Sequence, residues 1–223
     1  MVQKSIKIQT AVLWTAAYFG VMLFYRFLDI TIWRKVVLAY AQWINLIVLM
    51  VCFCGFFQLM KRRRPLQIFS HITITGVLLA AACAVLFYLL MDLCLDPIWE
   101  SLFPQSEQEY QDMMDGLIQS PVTSLLQVCV AAPVIEESLM RGFVLGGLKD
   151  TYGAGTALLV SSLLFAVLHF NMVQTLSALG CGLLLGLLYL KTNSVFCCIL
   201  AHSGYNLISY LTTIASYVDE VAG

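Results

Sequence analysis

The sequence is poor in charged residues. Only 11% of its 223 residues are Asp, Glu, Lys or Arg, whereas 61% are apolar. Soluble domains carry about 25% charged and about 45–50% apolar residues, so this composition excludes an ordinary soluble domain. A spanning helix needs roughly 20 apolar residues, and the chain has enough for about seven of them. We therefore predict an all-α, polytopic membrane bundle in which residues 1–223 form a single membrane domain.

Strongly basic patches and cysteine-based metal motifs are also missing. The net charge is −1, and the basic residues are scattered apart from one run, Lys61 to Arg64. This pattern argues against a nucleic-acid partner. The eight cysteines show no CxxC spacing, so they do not predict a zinc or iron–sulfur site. The lipid bilayer is the environment that the composition predicts.

Seven apolar segments are candidates for membrane spans. They cover approximately residues 11–28, 36–60, 68–95, 121–148, 156–170, 175–190 and 195–218. With a cytoplasmic N-terminus, the inner side holds eight basic residues and the outer side three. The eight are Lys4, Lys7, Lys61, Arg62, Arg63, Arg64, Lys149 and Lys191. The positive-inside rule thus predicts a multi-pass cell-membrane protein with its N-terminus in the cytoplasm and its C-terminus outside.

The stretch 96–120 contains acidic residues but no Lys or Arg, which fits an external loop. Its apolar residues recur every three to four positions, so part of it is predicted to form an amphipathic surface helix.

Ionisable and amide side chains interrupt three of the predicted spans. They are Glu136, Glu137 and Arg141 in the fourth, His169 near the end of the fifth, and His202 with Asn206 in the seventh. A charge at the bilayer centre costs roughly 2.5–3.5 kcal/mol, so such residues mark a functional site. At about 1.5 Å per residue, all three groups reach a similar depth near the midplane. We therefore predict that they meet in one interior site.

Helical phase separates the roles of the two adjacent glutamates. Glu137 and Arg141 are four residues apart on one helical face, which favours an ion pair. Glu136 is turned about 100° away and has no local counter-ion, so it is the candidate general base. Pro133 cannot donate a backbone hydrogen bond, and it predicts a kink beside the carboxylates.

The third group of polar residues suggests amide hydrolysis. His202 and Asn206 lie four residues apart and could supply two donors to an oxyanion. Alternatively, Glu136, His169 and His202 could be three ligands to a zinc ion that activates a water molecule. The spacing leaves both chemistries open, so no cofactor is required but zinc remains possible.

Three motifs in this order resemble the CPBP family, the CAAX-protease and bacteriocin-processing intramembrane proteases. Residues 136–141 match EExxxR, Phe165 with His169 matches FxxxH, and His202 with Asn206 matches HxxxN. The family's catalytic core would then cover about residues 121–216. The resemblance implies an endopeptidase of the bacterial branch that cleaves a membrane-associated protein or peptide.

The resemblance also implies a role for each motif residue. Glu136 and His169 would activate a water molecule, and His202 and Asn206 would hold the oxyanion. Glu137, Arg141 and Phe165 would order the site. Family members are widely described as metalloproteases, whereas the eukaryotic CAAX endopeptidases resemble glutamate-dependent enzymes, and we favour the latter.

Two other classes of function stay open. Some members of the family resemble regulators that bind a membrane partner without proteolysis, so a scaffold or bacteriocin-immunity protein is the main alternative. An ion- or proton-coupled transporter is less favoured, because the sequence shows no repeated halves.

Overall fold

The computed structural model describes residues 5–36 and 40–222. Lys4 and residues 37–39 of the predicted second span lie outside the described residues. Within the described ranges, every regular element is helical, as the composition predicts.

The helices are labelled here in chain order. They are α1 (Ile8–Trp33), α2 (Ala41–Arg63), α3 (Ile74–Leu102), α4 (Pro104–Ile118), α5 (121–152), α6 (154–166), α7 (Met172–Thr192) and α8 (Val195–Ala222). Helices α5 and α6 are separated at Gly153, whose φ of 79° and ψ of 164° lie outside the helical region. A positive φ of this kind is accessible to glycine at little cost.

Five of the described helices are long and apolar enough to cross a membrane. They are α1, α2, α3, α7 and the part of α8 at Val195–Val218. These helices coincide with the first, second, third, sixth and seventh predicted segments and confirm a polytopic helical membrane protein. The other two predicted segments are also helical, but α5 carries three charged residues in its middle and α6 is short.

The outer helices expose large apolar side chains, as a lipid-facing surface requires. Leu13 on α1 is 67% exposed and Ile74 on α3 is 82% exposed. By contrast, every residue of the π-helical segment Ser138–Leu145 in α5 is buried. Helix α5 therefore forms the centre of the bundle, and its polar side chains are separated from the lipid by other helices.

Small residues let α7 approach its neighbours closely. A β-carbon added at Gly182 would lie 3.2 Å from the backbone of Ser162, and one at Gly186 would lie 2.3 Å from a methyl group of Leu158. Larger side chains would therefore push α7 away from α6. The same β-carbon at Gly186 would lie 3.2 Å from Leu145, so α7 also lies close to the buried segment of α5.

The predicted acidic external stretch consists of two helical parts. Residues 96–102 continue α3, and Pro104–Ile118 forms the separate helix α4. The predicted surface helix is thus present, although the side of the membrane on which it lies remains a prediction.

Candidate active site

Glu137 and Arg141 form a buried ion pair on α5. Arg141 Nη1 donates to Glu137 Oε1 at 2.9 Å, and both side chains are completely buried. Arg141 Nη2 donates to the carbonyl oxygen of Gly182 on α7 at 3.0 Å. The predicted pair therefore exists, and it also ties α5 to the closely packed face of α7.

His202 brings α8 to the same carboxylate. Its Nδ1 lies 2.9 Å from Glu137 Oε1. Because an ionised carboxylate can only accept, His202 Nδ1 is the donor in this contact. Glu137 thus accepts hydrogen bonds from both Arg141 and His202. Helical phase predicts only the first of these two contacts.

Phe165 lies at the centre of the charged groups. The guanidinium carbon of Arg141 is 4.8 Å from the centre of its ring. The rings of His169 and His202 meet it edge-on at centroid distances of 5.1 and 5.8 Å. The buried ring of Phe165 therefore packs against the guanidinium of Arg141 and against both imidazole rings.

His169 lies in the turn between α6 and α7. Its Nδ1 is 3.1 Å from the carbonyl oxygen of Phe165. Since a carbonyl oxygen only accepts, Nδ1 carries the hydrogen, and Nε2 of the neutral ring keeps a free electron pair. This tautomer is the one needed to accept a hydrogen bond from water.

Glu136 is half-buried and takes no part in the ion pair of Glu137 with Arg141. Electrostatic interactions connect it with His169 and His202. Among the described residues it has no hydrogen-bond partner, unlike Glu137. The buried side chain of Tyr18 on α1 lies within electrostatic range of Glu136. Glu136 is therefore the carboxylate of this site that is free to accept a proton from a bound molecule.

Asn206 donates from Nδ2 to the carbonyl oxygen of Val128 at 2.9 Å. This carbonyl lies in the π-helical segment Gln127–Ala131, where the bonding partner would be the nitrogen of residue 133. Residue 133 is proline and has no hydrogen to donate. Asn206 thus satisfies a backbone oxygen that Pro133 leaves unpaired, at the distortion predicted from Pro133.

The three candidate zinc ligands do not form a metal site in this arrangement. Within the described residues, no group of three or more His, Cys, Asp or Glu side chains is placed to hold a metal ion. The Nδ1 atoms of His169 and His202 contact Phe165 and Glu137, and both Nε2 atoms stay available. We therefore derive no catalytic step through a metal, and independence from zinc remains a prediction.

Several residues that contact the site are not indicated by any sequence pattern. Tyr18 lies on a helix without a recognisable motif, and Val128 and Gly182 contribute backbone oxygens. The double use of Glu137 was also missed, because spacing within α5 says nothing about α8. Pro133 was the one available signal for the contact at Val128, since it predicts an unpaired carbonyl.

This site belongs to an all-helical membrane protein and contains buried and half-buried Glu, His, Arg and Asn side chains. Residues 118–208 match the family model for Rce1-like, type II CAAX prenyl endopeptidases. All three motifs lie inside the matched range. This segment of the chain, about two fifths of its length, is therefore similar to the Rce1-like CAAX endopeptidases.

One curated relative is "Putative membrane peptidase YdiL" of Bacillus subtilis (strain 168). It is 24% identical over 117 residues, which cover 51% of this chain and 48% of that protein. The chain thus matches about half the length of this relative. No solved structure matches the chain.

Proposed function

We propose that the protein is an intramembrane endopeptidase that hydrolyses peptide bonds of a membrane-associated protein or peptide. The supporting observation is the convergence of α5, the α6–α7 turn and α8 on one polar cluster, in which Glu137, Arg141 and His202 are buried. Six ionisable or amide side chains in an apolar bundle are costly to keep unless they serve a reaction. The similarity of residues 118–208 to the Rce1-like CAAX prenyl endopeptidases supports the same reaction class.

In the proposed reaction, Glu136 takes a proton from a water molecule, and His169 Nε2 accepts the water's second hydrogen bond. The resulting hydroxide attacks the carbonyl carbon of the scissile peptide bond. Glu136 then returns the proton to the amine as the carbon–nitrogen bond breaks. No other proton donor is needed, so the proton balance closes within the site.

The negative charge that develops on the carbonyl oxygen needs a donor, for which His202 is the candidate. Its Nδ1 hydrogen is already donated to Glu137, so donation from Nε2 as well requires the protonated ring. With His202 protonated, the charges of Glu136, Glu137, Arg141 and His202 sum to zero. Such a neutral set avoids an uncompensated charge in the bundle.

Asn206 contributes to the oxyanion site in this proposal through its position next to His202 on α8. Its bond to the Val128 carbonyl uses one of its two amide hydrogens and leaves the other for a substrate oxygen. Helix α8 thus provides both proposed donors.

The test compares membranes that contain the wild-type protein with membranes that contain Glu136→Gln. New protein N-termini, measured by mass spectrometry, should appear with the wild type and be absent with Glu136→Gln. Uncleaved substrate should also co-purify with that variant. The matched control is Glu109→Gln on the exposed surface of α4, which should cleave like the wild type. Identical N-termini with and without Glu136 would instead support the non-proteolytic scaffold.

A further inference from the structure

The turn that carries His169 is short and is held by local bonds. It joins the end of α6 at Ala166 to the start of α7 at Met172. The backbone nitrogen of His169 donates to the carbonyl of Ala166 at 3.0 Å, and the hydroxyl of Thr175 donates to the carbonyl of His169. These bonds shape the turn, but none of them fixes it against another part of the bundle.

A second set of bonds connects this turn with α4. Asn171 Nδ2 donates to the carbonyl oxygen of Ser106, and the backbone nitrogen of Met172 donates to Ser106 Oγ at 2.8 Å. We call these three residues the α4 clamp. Asn171 and Met172 therefore bind the main chain and the side chain of Ser106. These two bonds together restrict both rotation and translation of the start of α7 relative to α4.

The two polar side chains of the α4 clamp are shielded from solvent. Asn171 is 8% exposed and Ser106 is 9% exposed. Water therefore competes little for these hydrogen bonds, and a broken bond would leave a buried polar group unsatisfied. Asn171 also caps α7, because its Oδ1 accepts from the backbone nitrogen of Gln174 at 3.2 Å. The side chain thus fixes the start of α7 and links it to α4 at the same time.

We propose that α4 positions His169 for the reaction through Ser106 and Asn171. Asn171 lies two residues from His169, so a displaced turn moves the imidazole relative to Glu136. Ser106 and Asn171 are positioning residues, since neither needs to touch the substrate. The catalytic consequence rests on the proposed function of His169, whereas the placement of its ring does not.

The expected kinetic effect is a loss of turnover with little change in KM. A misplacement of about 1 Å can lower a reaction rate on the order of 10²-fold, because the reacting atoms must be aligned. Substrate binding does not depend on the imidazole in this proposal, so kcat should fall and KM should be retained.

The chain contains three histidines, which makes a direct test practical. Protein labelled with carbon-13 at histidine Cε1 gives one ring resonance for each of His71, His169 and His202. Replacing each histidine by glutamine in turn assigns the three signals. This measurement needs no substrate.

The variants separate the α4 clamp from ordinary helix capping. Asn171→Ser keeps a capping oxygen for α7 but is too short to reach Ser106. Ser106→Ala removes the acceptor for Met172, and Ser106→Thr keeps it. Thr73→Ala is the control, because Thr73 caps α3 in the same way, accepting from Gly76 at 3.0 Å, and lies outside the turn.

The His169 resonance should be displaced or broadened in Asn171→Ser and Ser106→Ala. It should stay at its wild-type position in Ser106→Thr and Thr73→Ala. Where cleavage is measurable, kcat should fall roughly 10- to 100-fold in the first pair, with KM retained. Ser106→Ala keeps the backbone acceptor for Asn171, so it provides the test even where Asn171→Ser fails to fold.

An unchanged His169 resonance in Ser106→Ala and Asn171→Ser would overturn the proposal, whatever the activity of the protein. Absence of cleavage that depends on Glu136 would instead overturn the proposed function. In that case a displaced His169 signal would still establish the clamp, so the two failures are distinguishable.

Discussion

Replacing Glu137 by Gln should destabilise the protein more than any other single change of a site carboxylate. Glu137 Oε1 accepts from Arg141 Nη1 and from His202 Nδ1, each at 2.9 Å, and the side chain is 0% exposed. Glutamine preserves the shape but removes the negative charge. Arg141 would then carry a buried charge without its ionic partner.

Breaking a buried ion pair by removing one partner costs about 3–5 kcal/mol. For proteins of 150–250 residues, each kcal/mol lowers the melting temperature by about 2–4 °C. The expected decrease for Glu137→Gln is therefore about 6–20 °C. The carbonyl of Gly182 still accepts from Arg141, which places the expected value toward the lower end of this range.

Glu136→Gln is the matched control for this measurement. Glu136 is half-buried and, among the described residues, has no hydrogen-bond partner, so its replacement should lower the melting temperature much less than the replacement of Glu137. Tryptophan fluorescence of both variants in one detergent would give the melting temperatures, and a cleavage assay would give turnover. Glu136→Gln should be stable and inactive, whereas Glu137→Gln should be unstable. A stable Glu137→Gln beside an unstable Glu136→Gln would refute the assignment of the two glutamates.

Three further predictions address the oxyanion donor, the orientation and the metal. Asn206→Ala should lower turnover by about 10²–10³-fold in a cleavage assay. It should also lower the melting temperature, because the Val128 carbonyl loses its partner; unchanged turnover would exclude Asn206 as a donor. In a cysteine-free protein on intact cells, an impermeant thiol reagent should label Gln105→Cys, which is exposed on α4, but not Arg63→Cys; the reverse pattern would invert the predicted topology. Purified protein should keep its activity in strong chelator and contain no stoichiometric zinc; chelator-sensitive activity that zinc restores would show instead that the reaction needs the metal.

Several properties follow from the sequence alone because they depend on composition or on short-range geometry. An apolar fraction of 61% can be accommodated only where lipid replaces water, which determines the fold class. The ion pair of Glu137 with Arg141 also follows, since a spacing of four residues on a helix brings two side chains together. The distortion before Pro133 has an equally local cause, the missing backbone hydrogen.

The contacts between helices depend on the tertiary structure. His202 approaches Glu137 from a helix 65 residues further along the chain, and Asn206 reaches Val128 over 78 residues. Spacing within one helix indicates which side chains share a face, but it does not indicate which neighbouring helix covers that face.

The clamp on His169 illustrates the same limit. Ser106 and Asn171 are ordinary polar residues at a helix start and in a turn, and neither belongs to a motif that indicates catalysis. Their connection exists because α4 packs against the start of α7, where backbone donors need partners. The sequence does not indicate such bonds, because only the packing of the helices brings the donor and the acceptor together.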